Sequence, residues 1–153
     1  MSQANKTWPS GNAQIDSAGP SMDVVARAEA ALKALAGQFA LWLQDEIDKL
    51  EGARARVGVE GLMGDAGETL YTHAHDLKGL GGTYEFPIVT RMAGSLCTLL
   101  EEPTGRSGAS LALIDAHIEA IKAAVKADIR DEGHPVGWTM IRSLEDRVRA
   151  AAG

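Results

Sequence analysis

The chain has only one cysteine, Cys97, so no internal disulfide can form, which suits a reducing compartment. Aromatic residues make up 5% of its 153 positions, which argues against an aromatic-rich β core and for helices packed through small apolar side chains. Basic residues are outnumbered, 15 against 21 acidic ones, and the net charge of −6 argues against nonspecific nucleic-acid binding. Long apolar runs are missing too. The most apolar stretch, Ala34 to Leu43, is interrupted by Gln38 and is too short to span a bilayer. The first residues lack the charged and apolar regions of a secretory signal. These absences lead to the expectation of a cytoplasmic protein that engages neither membrane nor nucleic acid.

No segment alternates with period two, and there is no internal repeat or low-complexity tract. What remains is helical periodicity on a length suited to one domain. Residues 1–20 are polar and aperiodic, carry Pro9 and Pro20, and read as a disordered arm in which Trp8 is exposed or loosely packed. Residues 21–153 read as the folded bundle. Ser21 or Asp23 is placed to cap a helix running to about Glu51. Val25, Ala28, Leu32, Leu35, Phe39, Trp42 and Leu43 form its apolar stripe. Its acidic end, Asp45, Glu46, Asp48 and Glu51, reads as a solvated face, since no histidine accompanies it at ligand spacing. Residues 52–64 read as a connection, and Asp65 to Glu68 as a capping box opening a second helix that runs to about Tyr84.

Phe86-Pro87 starts a third helix reaching about Glu102, with Val89, Met92, Leu96, Leu99 and Leu100 inside. After a loop from Pro103 to Gly108, the series Leu111, Ile114, Ile118, Ile121, Val125 and Ile129 marks a fourth, ended by Gly133 and Pro135. Trp138, Ile141, Leu144 and Val148 line a terminal helix over about 137–152. Arg142–Asp146 and Glu145–Arg149 are candidate pairs on its wet face. The expected architecture is all-α: an antiparallel four-helix bundle with an additional C-terminal helix.

The second helix carries the chemistry. At about 100° per residue, Leu70, Ala74, Leu77, Gly81 and Tyr84 fall on one side. His75, Gly79 and Gly82 fall opposite, with Lys78 at the edge. Each helical glycine costs roughly 1 kcal/mol relative to alanine. Packing accounts for Gly81 but not for Gly79 and Gly82, whose bareness lets another protein approach the imidazole. Lys78 supplies a cation for an anion held there. Neutral imidazole is nucleophilic, and its attack on a phosphoryl group gives a covalent phosphoramidate. An exposed nucleophile without a pocket suits transfer between proteins better than small-molecule catalysis.

His75-Asp76-Leu77-Lys78-Gly79 resembles the His-x-x-Lys-Gly signature of histidine-containing phosphotransfer (HPt) domains. Gly81-Gly82 and the helix that follows are also similar to that family. The likeness is strongest over residues 71–102, and the helical pattern carries it over about 22–130. The resemblance implies a four-helix bundle that takes phosphate from a receiver-domain aspartate and passes it to another receiver. His75 would be phosphorylated on its outer ring nitrogen and Lys78 would support the phosphoryl charge, while Gly79 and Gly82 clear room for the receiver. The chain would hold no cofactor itself, because magnesium comes with the receiver. Partners would be response-regulator receivers and a hybrid histidine kinase, and the chain would be a monomer. The sequence departs from the family at Glu85, where glycine is common, and at Cys97, near which a polar residue often orients the imidazole. Thr90, Gly94 and Cys97 share a face of small residues expected to flank the histidine and touch the partner.

Competing readings are a receiver-binding module of the same fold that carries no phosphate, and a kinase dimerisation domain. The intact His75–Lys78 pair argues against the first. The second would need two long helices, and no glycine-rich nucleotide motif or room for an ATP-binding domain is present. His73 reads as structural or solvated, since no further metal ligand stands at matching spacing. His117 reads as a helix-surface residue and His134 as a loop residue. Cys97 reads as packing, and Arg54, Arg56 and Arg91 as solvated charges available to an acidic partner.

Overall fold

The computed structural model describes residues 21–101 and 104–152. The expected N-terminal arm, with Trp8, lies outside them. Among the described residues there is no strand, and the protein is an all-α helical bundle. Its helices are α1 (Met22–Glu60), α2 (Asp65–Thr83), α3 (Pro87–Leu100), α4 (Leu111–Lys126) and α5 (Pro135–Ala152), with a helical turn at Thr104–Ser107. None of the described helices is long and apolar enough to cross a membrane. The chain divides into two compact units, Met1–Gly37 and Gln38–Gly153.

In the first unit Ser21 caps α1, its hydroxyl accepting from the Val24 N–H at 3.2 Å. Val25, Ala28, Leu32 and Leu35, the first part of the apolar stripe, are all exposed. Their spacing makes a stripe, but a stripe is buried only where a second apolar surface meets it. In the second unit α1 does bury its face, through Leu43, Ile47, Leu50, Ala53 and Val57. The apolar period therefore continues past Gly52, and α1 runs to Glu60 rather than stopping near Glu51. The glycines at 52 and 58 weaken local propensity by less than the buried face contributes. Trp42 remains 40% exposed, its ring 5.4 Å from that of Tyr84.

α3 is the central element and packs on α2, α4 and α5. Val89, Met92, Leu96, Leu99 and Leu100 are buried as their spacing indicates. Ion pairs tie the helices together at the rim. Arg54 of α1 grips Asp115 of α4 with both carboxylate oxygens, at 2.7 and 3.1 Å. Lys122 of α4 reaches Glu51 at 2.7 Å. Arg91 of α3 takes Glu145 of α5 at 2.8 and 3.0 Å, also pairs with Glu132, and lies beside the Trp138 ring. Arg91 draws the Glu145 carboxyl below its usual range, chiefly by hydrogen bonding. Arg149 pairs with Asp146 and acts on Glu145 only through its charge, while Arg142 lies over Trp138.

Two helices end in the same way. At the end of α2 the Phe86 N–H donates to Gly81 O at 2.7 Å and Glu85 N–H to Gly82 O at 3.1 Å, around Glu85 at φ 65°. At the end of α4 the Ile129 N–H donates to Ala124 O and Asp128 N–H to Val125 O, around Asp128 at φ 57°. Both are Schellman ends whose left-handed position is usually glycine. The second explains why α4 stops at Lys126 and not near Gly133. Ile129 keeps the apolar rhythm as the buried residue beyond the cap. Pro135 then opens α5 instead of closing α4. At α2 the capping box does not form: Gly64 occupies the cap, and Asp65 inside the first turn pairs with Arg56 at 2.7 Å. Glu68 turns to Arg106, which lies 3% exposed within the segment expected to be a loop.

His117 is fully buried, not on the helix surface. One ring nitrogen, Nδ1, lies 2.8 Å from the Leu113 carbonyl and Nε2 lies 2.9 Å from the Ser95 hydroxyl. A carbonyl only accepts, so Nδ1 carries the proton and Ser95 donates to Nε2. Burial pushes the His117 pKa below 6.5, outweighing the Leu113 hydrogen bond, with Arg147 adding to the shift. The native imidazole stays neutral while the unfolded one takes up a proton, so stability is full above pH 6.5 and falls below it. Urea unfolding should show a loss of up to about 1 kcal/mol between pH 6.5 and 5.5. His117→Met should flatten that slope; an unchanged slope would contradict the assignment. Glu85→Gly should raise stability by roughly 0.5–1 kcal/mol by relieving the left-handed backbone. A lower urea midpoint in that variant would count against strain at the α2 end.

Candidate functional site

The buried side of α2 is Leu70, Ala74, Leu77 and Gly81, with Tyr84 half-buried. His75, Lys78, Gly79 and Gly82 are all exposed. The helical wheel therefore places both faces correctly.

The three glycines differ in what surrounds them. A Cβ on Gly81 would lie 2.5 Å from the Thr90 backbone nitrogen and 2.6 Å from its Oγ1. Only glycine permits that approach of α2 to α3. Its neighbour Gly82 donates its N–H to Thr90 Oγ1 at 2.8 Å. Around Gly79, by contrast, a Cβ would meet nothing within 4 Å. The bare face of α2 thus faces open space.

His75 borders an open depression of about 460 Å³ shared with Glu46 and Lys49 of α1 and Asp76, Gly79 and Leu80 of α2. No hydrogen bond with a described residue fixes its ring. Tyr71, one turn earlier, flanks it with ring centroids 6.2 Å apart. Tyr71 is itself beside the guanidinium of Arg106, 5.4 Å from its ring. Among the described residues, the imidazole's ring neighbour is thus an aromatic of its own helix, with no hydrogen bond from a polar residue of α3.

Lys78 lies toward α3, with Cδ and Cε each 3.9 Å from where a Gly94 Cβ would stand. No described carboxylate pairs with its ammonium. Lys78, Thr90 and Gly94 line a second depression of about 390 Å³ together with Ser95, Thr98 and Val148. The expected site residues are thus divided between two hollows, with His75 and Gly79 in one and Lys78, Thr90 and Gly94 in the other, while Gly82 is exposed but lines neither. Cys97 belongs to neither: it is 3% exposed and cannot meet a partner. Burial pushes its thiol up to about 11, overriding the lowering influence of Lys78, so it is a protonated, inert packing group. Arg54, Arg56 and Arg91 are engaged in the internal pairs described above rather than held ready for a partner.

One grouping spans two helices, and only its His73–Asp76 pair, three residues apart on α2, has a counterpart in sequence spacing. Glu46 of α1 and His73 and Asp76 of α2 bring one donor atom each to within 4.8 Å of one another. The histidine missing from the acidic stretch of α1 is supplied by another helix. His73 Nδ1 is buried without a hydrogen-bond partner.

No protein-family model, curated protein or solved structure matches the chain.

The contrast between the glycines can be measured. Gly79→Ala should stabilise the protein by up to about 1 kcal/mol, since the methyl meets nothing and helix propensity improves. Gly81→Ala should destabilise it by about 1–3 kcal/mol through overpacking against Thr90. Equal effects of the two substitutions on urea unfolding would contradict the two-sided description of α2.

Proposed function

We propose that the chain is a phosphorelay carrier, accepting a phosphoryl group on His75 from a receiver-domain aspartate and passing it to another receiver. The observation that carries this reading is the bare surface around an exposed imidazole. Glycine at 79 sacrifices helix stability where nothing crowds it, and that loss has a use if another protein must come close. The unpaired ammonium of Lys78 supports the reading as a mobile cation near an incoming anion. The His-x-x-Lys-Gly resemblance supplies the reaction class.

In the proposed step the lone pair of neutral His75 attacks phosphorus as the receiver's aspartyl phosphate lies in the depression. The N–P bond forms, the aspartyl O–P bond breaks, and the carboxylate leaves with its electron pair. The proton on the other ring nitrogen is not part of that exchange. Lys78 swings from its place over Gly94 to the phosphoryl oxygens, where a charge-assisted contact offsets their negative charge. Transfer onward reverses these bonds on a second receiver. The receiver contributes the aspartate and its magnesium; the chain contributes nucleophile, cation and clearance. No ATP-binding domain of its own is required, so it acts as a carrier between proteins of two-component signalling.

A phosphorylated receiver should label the chain with acid-labile, alkali-stable phosphate, and His75→Gln should abolish the label. Lys78→Ala should slow transfer on the order of tenfold, about 1.4 kcal/mol in barrier, with unfolding unchanged. Label persisting in His75→Gln would refute His75 as acceptor. Tight receiver binding without any label would favour a phosphate-free docking module.

A further inference from the structure

We infer that Glu46, His73 and Asp76 form a binding site for a borderline first-row divalent cation, with Zn2+ as its best probe. His73 and Asp76 are three residues apart on α2 and so neighbours on its surface. Glu46 comes from α1, making the site a bridge between two helices. The three donor atoms lie within 4.8 Å of one another. Bonds of about 2.1 Å in tetrahedral geometry place ligand atoms about 3.4 Å apart. Small side-chain rotations close that difference, and Asp76 is exposed and able to make them.

A second observation points to a ligand. His73 Nδ1 is buried and lacks any hydrogen-bond partner. Buried polar atoms are almost always satisfied, and an exception calls for an unseen water or ion. Whichever ring nitrogen takes the metal, the pairing of one imidazole with two carboxylates is a mixed N and O set. Imidazole favours zinc and later first-row ions over magnesium and calcium. Lys49 is the competing cation, 2.9 Å from Glu46 Oε2. It is more than half exposed, and such surface pairs exchange readily. Three protein ligands leave an open coordination position for water or an anion.

Glu46 and Asp76 also border the His75 depression, so a bound ion would place positive charge beside that imidazole. That consequence rests on the phosphoryl-carrier reading, whereas the site itself does not.

Calorimetric titration of the full chain with Zn2+ tests it, together with nitrogen-detected NMR of the histidine rings. One equivalent should bind, with the His73 ring signals moving most. Glu46→Gln and Asp76→Asn should each weaken binding at least ~10-fold with helicity unchanged, and Mg2+ should bind far more weakly. His75→Gln should bind Zn2+ as the unsubstituted chain does, which separates this site from the phosphoryl acceptor. The inference is overturned if no saturable binding occurs, if neither carboxylate substitution weakens it, if Mg2+ binds equally well, or if His75→Gln alone abolishes it.

Discussion

The close approach of α2 to α3 at Gly81 and Thr90 governs the arrangement of the candidate site. No side chain fits between the two backbones there, and Gly82 donates its N–H to the Thr90 hydroxyl. The Schellman end around Glu85 turns the chain immediately afterwards, and Phe86 buries itself at the turn. With that junction set, the rotation of α2 is set as well. Leu70, Ala74 and Leu77 go inward, and His75 and Gly79 are left outward. The orientation of the imidazole face is thus a consequence of packing on the opposite side of the same helix.

The charges fall into two kinds. Arginines at 54, 56, 91 and 106 each hold a carboxylate on another element or an adjacent turn and so stiffen the bundle. Lys78 is different, its chain lying over Gly94 and its ammonium in no ion pair with a described acid. In the proposed function that difference separates scaffold from chemistry. A cation already committed to a carboxylate would have to be released before serving a phosphoryl group, whereas Lys78 need only change rotamer. Glu46 of α1 and Asp76 border the same depression as His75, so in the inferred cation site α1 contributes more than structural support.

Much of the helical order was legible in the sequence, because three- and four-residue spacing reports burial directly. The two faces of α2 followed from it without adjustment. Element ends were less legible. Gly52 looked like a break, yet Ala53 and Val57 extend the buried face of α1. Ile129 looked helical, yet it packs after a left-handed Asp128 that terminates α4. A stripe in sequence also says nothing about whether a second surface meets it, and so Leu32 and Leu35 stay exposed. His117 was misplaced because a single polar residue gives no sign of the Ser95 and Leu113 groups that satisfy it inside. The carboxylate of Glu46 and the ring of His73 are 27 positions apart, a separation at which spacing rules carry no information. The left-handed backbone of Glu85 was not legible either, because spacing reports burial and not the sign of φ.

The central claim is that the outer ring nitrogen of His75 accepts a phosphoryl group. Its most direct test is a phosphorus NMR spectrum of the full chain, nitrogen-labelled at histidine, after incubation with a receiver domain charged by acetyl phosphate and magnesium. The account predicts one phosphoramidate resonance, stable in alkali and coupled to Nε2 of His75. A phosphoramidate on His73, His117 or His134, a phosphoryl group on oxygen, or no resonance with any receiver that binds the chain would contradict it.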